Sequence, residues 1–501
     1  MKAWLMHPQQ AFDPRREPPG HEAVLRQDLE LDVLWNAMAD EDAYLFDIAR
    51  RAMLASPDND VATVSYRQEV LQDCLGHPDT VRTLYELAVQ AIEGKRKSHW
   101  SFHGNYPSST LHGAVDVMGL LVAVLKKLRE VADTQAGPFR SRGLVALFAM
   151  LRAEFQDDYL ARIDAYLAEL KLRGGLLLSA DLGTGNAGTN YILRRADEKE
   201  PGLLQRVLGK GPPAYTFHIP DRDLAGAQAL GEIRSRGINT VANAMAQSMD
   251  HILGFFEALR AELAFYVGAL NLHAKLQALG APTTLPQASP AGEGTRHATG
   301  LYDPCLALGM GRSVVGNNLA ADHKPLLIVT GANQGGKSSF LRSLGLAQLM
   351  MQSGLFVAAE RFAAELCGGL FTHYRREEDK SMTSGKLDEE LDRLSAIADV
   401  IRPGAMLLLN ESFASTNELE GAEIARQIVA ALGERGVRIC FVTHLYAFAH
   451  GLFEQAGSHT LFLRAERQAD GTRTFRLVEG EPLETSYGAD LYREVFESAD
   501  R

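Results

Sequence analysis

Residues 328–338 read Ile-Val-Thr-Gly-Ala-Asn-Gln-Gly-Gly-Lys-Ser. Gly331, Gly336, Lys337 and Ser338 fit the phosphate-binding pattern G-x-x-x-x-G-K-[ST]. The apolar run Leu326-Leu327-Ile328-Val329 before them reads as a buried strand, and a helical pattern follows from Ser339 through Met351. The pattern needs this context of strand, glycine loop and helix: loop N–H groups can then wrap phosphates, and the helix N-terminus adds positive potential. Lys337 is placed to reach the outer phosphates, and the Ser338 hydroxyl to ligate Mg2+. Asn333, Gly335 and Ser339 complete the expected nucleotide-binding set. The alternative, a glycine turn that merely precedes a helix, is disfavoured because the context is correct on both sides.

Two further strands carry polar groups at their C-terminal ends, where α/β proteins place their sites. Ala405-Met406-Leu407-Leu408-Leu409 ends in Asn410-Glu411. Glu411 is placed to orient or deprotonate an attacking water, and Asn410 stands where an Asp usually holds the magnesium shell. Asn keeps an oxygen acceptor but loses the charge, which predicts weaker magnesium binding or slower turnover. Arg438-Ile439-Cys440-Phe441-Val442 ends in Thr443-His444, a pair suited to sensing a γ-phosphate or water. Alone, His444 reads as a structural histidine; beside the other two motifs it reads as a sensor.

Outward from this region the pattern changes twice. Residues 22–55, 66–94, 112–133 and 141–172 show apolar positions at helical spacing, and helical periodicity returns at 222–279. Between them, 174–220 is a glycine-rich, partly strand-like insert. Its Gly183-Thr184-Gly185-Asn186-Ala187-Gly188 fits G-x-G-x-x-G, but a strand-like run follows instead of a helix, so a hairpin is predicted rather than a dinucleotide site. Arg194 and Arg195 at its end could meet phosphate or be a solvated pair. Residues 281–300 read as a linker by composition, and from 301 short strands alternate with helices. The predicted organisation is multidomain: a helical region over 1–280 with its insert, the linker, then an α/β P-loop domain over 301–501.

Composition narrows the partners. Of 501 residues, 46% are hydrophobic and 23% charged, as in ordinary globular proteins. No apolar run approaches the roughly 18 residues of a membrane span. Four scattered cysteines with no C-x-x-C pair argue against a disulfide scaffold and fit a cytoplasmic protein. The net charge of −12 means that any nucleic acid must be met by local basic patches. Lys95-Arg96-Lys97 with Trp100 and Phe102 is one candidate, although an exposed helix end is the commoner meaning of such a run.

These motifs carry a family resemblance. Thr330 to Ser339 resembles the loop Gly-Pro-Asn-Met-Gly-Gly-Lys-Ser-Thr of the MutS DNA mismatch-repair ATPases. The stretch from Asn410-Glu411 to Thr416 and Gly421 is similar to that family's Asp-Glu motif, whose glycine also falls ten residues after its Glu. Val442-Thr443-His444 resembles its Ala-Thr-His switch, Ser486-Tyr487-Gly488 its late Ser-Tyr-Gly, and Ser384 lies where it carries a signature serine. Over 20–280 the likeness is weaker, to lever and core helices. The resemblance implies an ATPase domain of ABC/MutS type that works with ATP and Mg2+ as a homodimer. In such a pair Ser384 would approach the partner's ATP, while Glu411 and His444 would act on the water. It also implies ATP-dependent binding of mismatched, branched or otherwise distorted DNA, a role in repair or recombination, and other repair proteins as partners.

Departures qualify this. Asn410 replaces the family's Asp, so slow hydrolysis is expected. The resemblance starts at the lever region, so the mismatch-reading domain is expected to be absent; Phe255-Phe256-Glu257, a formal match to its wedge, reads as core packing. The alternative function is a slow or inactive nucleotide-gated interaction switch without direct DNA recognition. A transporter-type or chromosome-maintenance ATPase is disfavoured, because Ser384 lacks a Leu-Ser-Gly-Gly context and no membrane span or long coiled coil is indicated.

Overall fold

A computed structural model of the chain describes residues 1–99, 107–172, 175–195, 215–216, 218–220, 222–376, 385–455, 457–467 and 473–483. They divide into two compact units, neither continuous in sequence. The first comprises Met1–Ala3, Arg82–Pro138 and Val145–Arg260; the second comprises Trp4–Val81, Phe139–Leu144 and Ala261–Arg501.

The first unit is helical with one small sheet. Helix Pro107–Gln135 packs on helix Asp157–Leu170, and its Leu121, Leu125 and Leu128 are buried. The pattern over 141–172 splits into two helices, Arg142–Glu154 and Asp157–Leu170. The second opens on Asp157 and Asp158, where acidic side chains favour a helix N-terminus. Strands β1 (Leu177–Leu182) and β2 (Gly188–Arg194) pair antiparallel. Gly183 N–H donates to the Ala187 carbonyl at 2.8 Å, and Gly185 adopts φ 69° between the strands, so the G-x-G-x-x-G stretch is a hairpin turn. Phe255 and Phe256 are buried in the helix Leu224–Ala278.

The second unit is α/β. β6 (Leu326–Thr330), β8 (Leu370–Tyr374), β9 (Met406–Asn410), β10 (Arg438–Val442), β11 (Thr460–Arg467) and β12 (Arg473–Glu479) form a sheet of order β12-β11-β6-β10-β9-β8. All neighbours are parallel except β11 and β12. The unbroken apolar runs of β9 and β10 follow from burial on both faces. On one face lies helix Lys337–Gln352, where Gly345 admits the side chains of Leu408 and Leu29: a Cβ there would sit 2.7 and 2.9 Å from them. Helices Lys386–Val400 and Glu418–Glu434 pack their Leu394, Ala425, Val429 and Leu432 into a core with Phe441 and Phe462.

Two features differ from the sequence reading. Residues 281–300, expected to be a linker, contain β3 (Gln287–Ser289) and most of β4 (Arg296–Leu301). With β5 (Asn317–Ala320) and β7 (Arg361–Glu365) these form a second sheet of order β3-β7-β4-β5. Glycine and proline there mark tight turns rather than slack: Glu365 accepts the N–H groups of Gly292 at 2.6 Å and Gly294 at 3.0 Å. The helical region 1–280 is also shared between the units. Helices Glu22–Asp28, Leu31–Ala39, Ala43–Leu54 and Val61–Gly76 belong with the α/β sheets. Asn59 donates to the Gln352 carbonyl at 2.8 Å, and buried Arg67 donates to the carbonyls of Met6 at 2.8 Å and Ser353 at 3.3 Å. No helix among the described residues is long and apolar enough to cross a membrane.

Candidate functional site

The loop 331–336 leaves the C-terminal end of β6 and enters helix Lys337–Gln352 through Gly336, whose φ of 88° favours glycine. Gly331, at φ 116°, passes so close to β11 that a Cβ would lie 2.9 Å from the Ala465 backbone nitrogen; Gly335 would meet the Ala465 methyl at 2.8 Å. Lys337 folds back under this loop, its ammonium donating to the carbonyls of Gly331 at 2.8 Å and Ala332 at 2.9 Å. Only 4% of the residue is exposed. Burial pulls its pKa below the usual lysine value, while Glu411 pulls it the other way. An ammonium has three N–H bonds, so one remains for a further acceptor, and a buried cation set among neutral carbonyls favours an anionic one.

Beside it, the Ser338 hydroxyl donates to Asn410 Oδ1 at 3.0 Å. This contact joins the first turn of the loop helix to the end of β9. Glu411 follows in a left-handed conformation, φ 54°, its N–H bonded to the Val442 carbonyl at 2.8 Å. The Ser338 and Asn410 oxygens are hard, neutral donors of the kind Mg2+ accepts alongside substrate phosphates and water, so the residues present fit that ion.

A cavity of about 680 Å³ opens against the loop. Asn333, Gly336, Lys337, Ser338, Ser339 and Glu411 line it, together with the apolar or aromatic Tyr302, Val314, Val315 and Phe475. Phe475 sits against the loop, its carbonyl oxygen 3.3 Å from where a Gly336 Cβ would be. Phe475 adopts φ 56°, and Asn317 holds its strand by donating to the Phe475 carbonyl at 3.2 Å and accepting the Leu477 N–H at 2.7 Å. A lining that combines charged, donor-rich groups with apolar walls in this volume suits a phosphorylated ligand with a flat base.

Of the residues singled out in the sequence, the loop set, Asn410 and Glu411 therefore come together. His444 lies two residues beyond the end of β10, is exposed and lies outside the cavity lining. Its neighbour Thr443 is buried, with its N–H on the Val329 carbonyl at 3.0 Å. Ser384 and Ser486-Tyr487-Gly488 lie outside the described residues, as do Trp100 and Phe102. Arg195 pairs with Glu169, and Arg194 donates to the Ser179 hydroxyl at 2.8 Å. Sequence reasoning missed the apolar residues of the cavity lining. It also missed Asp303, which lines the cavity and accepts from Arg342 at 2.5 Å. These residues come from separate elements and form no local pattern.

Fold and site together define an α/β unit with a glycine loop at the C-terminal end of an interior strand of its sheet. Two family models match successive stretches: the MutS2 N-terminal domain over residues 59–279 and MutS domain V over 327–496. The chain belongs to the MutS family. It is 34% identical over 172 residues to an endonuclease MutS2 of Thermus thermophilus, covering 34% of this chain and 23% of that protein. To DNA mismatch repair protein MutS of Thermus aquaticus it is 31% identical over 178 residues, covering 35% and 22%. For the MutS of Thermotoga neapolitana the figures are 30% over 182 residues, covering 36% and 22%. The matched region thus spans less than a quarter of the length of these curated relatives.

Proposed function

We propose that the chain binds ATP with Mg2+ in this cavity, hydrolyses it slowly, and uses the cycle to control binding to mismatched, branched or otherwise distorted DNA. The observation that carries the reading is the contact of Ser338 with Asn410 beside the buried ammonium of Lys337, with Glu411 lining the same cavity. The loop N–H groups and Lys337 would bind the phosphates, and Ser338 and Asn410 would hold the ion. Mg2+ would neutralise charge on the β- and γ-phosphate oxygens. The Glu411 carboxylate would orient the attacking water and take its proton, with His444 and Ser384 as the further expected contributors, Ser384 from a second copy in a homodimer. The apolar and aromatic side chains of the cavity lining would enclose the base.

The DNA part rests on the family and on relatives named as mismatch-repair proteins. A role in repair or recombination, with other repair proteins as partners, follows from it. The four cysteines are buried and free, in keeping with a cytoplasmic protein. Asn410 favours a second reading, in which the protein is a nucleotide-gated interaction switch with little turnover and no direct DNA recognition.

Steady-state ATP hydrolysis with and without plain, mismatched and branched duplexes tests the proposal. Stimulation by one class of DNA supports it, and DNA-indifferent turnover favours the switch. Lys337→Ala is expected to weaken binding of a fluorescent ATP analogue by roughly a hundredfold, the loss of a charge-assisted contact worth about 3 kcal/mol. Unchanged affinity would remove the phosphate role of the loop.

A further inference from the structure

The turn that carries Glu411 is strained on both sides of Ser412. Glu411 has φ 54° and Phe413 φ 66°, both in the left-handed region that side chains other than glycine avoid. Such strain persists only where the surroundings over-determine it. Here they do so from β8 and from helix Lys386–Val400. Ser412 is fully buried, with its hydroxyl 2.7 Å from His373 Nδ1. His373 Nε2 lies 3.0 Å from the Glu390 carbonyl. A carbonyl can only accept, so Nε2 carries the ring proton and Nδ1 is an acceptor; the single Ser412 hydroxyl proton faces both Nδ1 and the His373 carbonyl, 2.9 Å away, so His373 grips Ser412 through ring and backbone. Burial holds the ring neutral, pushing its pKa down to about 4. The Glu390 carboxyl, 3% exposed, accepts the Phe413 N–H through Oε2 at 3.2 Å. The Phe413 ring is fully buried, stacked on His373 with centroids 6.0 Å apart and edge-on to Phe441 at 6.4 Å.

Neither His373 nor Glu390 lines the nucleotide cavity. Both grip the two residues that follow Glu411, one through a hydroxyl and one through a backbone N–H. We propose that Glu390 and His373 are positioning residues. They hold Ser412 and Phe413 in the conformation that directs the Glu411 carboxylate to the cavity, and so set the rate of hydrolysis without adding to nucleotide affinity. The inference rests on the reading of Glu411 as the group that acts on the water. What Glu390 supplies to the turn is an oxygen that accepts the Phe413 N–H, which a glutamine amide would also offer.

The test compares the full chain with Glu390→Ala, Glu390→Gln and Ser412→Ala, with Lys337→Ala as the control for nucleotide binding. Each protein is measured for thermal unfolding, for affinity toward a non-hydrolysable fluorescent ATP analogue with Mg2+, and for kcat and KM. Glu390→Ala is expected to lower kcat by roughly tenfold or more, leaving KM and analogue affinity within about twofold. Glu390→Gln, which keeps an amide oxygen for the Phe413 N–H, is expected to recover most of that kcat. Ser412→Ala, which frees the turn from His373, is expected to lower kcat selectively as well. An unchanged kcat in Glu390→Ala overturns the proposal, as do equal losses in the Ala and Gln variants or a matching loss of analogue affinity. If Glu390→Ala does not fold, Ser412→Ala decides, and full turnover there is the overturning result. A wild-type protein that binds no analogue, or binds it equally well in Lys337→Ala, fails the nucleotide reading itself. One that binds but does not hydrolyse leaves nucleotide binding standing and overturns the positioning role. One that hydrolyses with Glu390→Ala its equal loses only the positioning role.

Discussion

Asn410 shows how much one atom can decide. Its Oδ1 takes the Ser338 hydroxyl at 3.0 Å, the geometry a carboxylate at this position would also offer, but it brings no charge. Charge-assisted contacts are about twice as strong as neutral ones, so the missing charge matters most when a divalent cation must be held. Asn410→Asp is therefore expected to raise turnover roughly tenfold, equivalent to about 1.4 kcal/mol of barrier, and to lower the Mg2+ concentration at half-maximal rate. The same change sets a second carboxylate beside Glu411. Without Mg2+ the variant should melt below wild type, and with Mg2+ the order should reverse. Steady-state rates across an Mg2+ titration, with melting curves at both ends, check this. A flat response would mean that hydrolysis is limited by something other than the ion.

At the scale of the element, the turn after β9 is fitted against the start of helix Glu418–Glu434. A Cβ on Gly421 would lie 2.4 Å from the Phe413 carbonyl oxygen, so only glycine allows the helix to approach a turn that is already strained by about 1–2 kcal/mol at Phe413. Gly421→Ala should push the two apart. It is expected to cost about 1–3 kcal/mol of stability and to lower hydrolysis more than nucleotide affinity, read by melting and by kcat against analogue binding. Wild-type stability and rate in this variant would show that the turn can give way freely. The spacing from Glu411 to Gly421 was visible in the sequence, but its reason, contact between two backbones, was not. The same division runs through the unit. β6, β9 and β10 were legible because strands buried on both faces are written as unbroken apolar runs. The loop was legible because its chemistry is local. The strands within 281–300 were not, since short strands interrupted by glycine and proline resemble a linker in composition. His373 and Glu390 were not either, because nothing in their neighbours announces a contact with residues 39 and 23 positions away.

For the whole α/β unit, buried and half-buried titratable groups shape the response to pH, and their signs differ, as His373, His7 and Glu262 show. Burial pushes His373 from 6.5 to about 4, so below pH 6.5 the unfolded chain takes up a proton that the folded ring refuses. Its share of stability is complete above pH 6.5 and is lost between 6.5 and about 4, amounting to about 2 kcal/mol by pH 5. His7 acts in the same direction, pushed down to about 4 by burial and Arg67, but it is only half buried and solvent screens its share. Glu262 works the opposite way. It straps the N-terminal segment to helix Leu224–Ala278 by accepting the N–H groups of Leu5, Met6 and Phe12, yet burial still lifts its carboxyl to about 7. Between pH 4.5 and 7 the folded state therefore binds the extra proton, and Glu262 adds about 2 kcal/mol on acidification from pH 7 to 5. The shares of His373 and Glu262 nearly offset each other over this range. Single substitutions should expose each half. In His373→Asn the remaining Glu262 should make the unit more stable at pH 5 than at pH 7, by a few degrees of melting temperature. In Glu262→Gln the remaining histidines should make it less stable at pH 5 by a similar amount. Melting of the two variants at both pH values checks the pair. Slopes of the same sign would mean that at least one of these groups keeps its ordinary pKa in the folded chain.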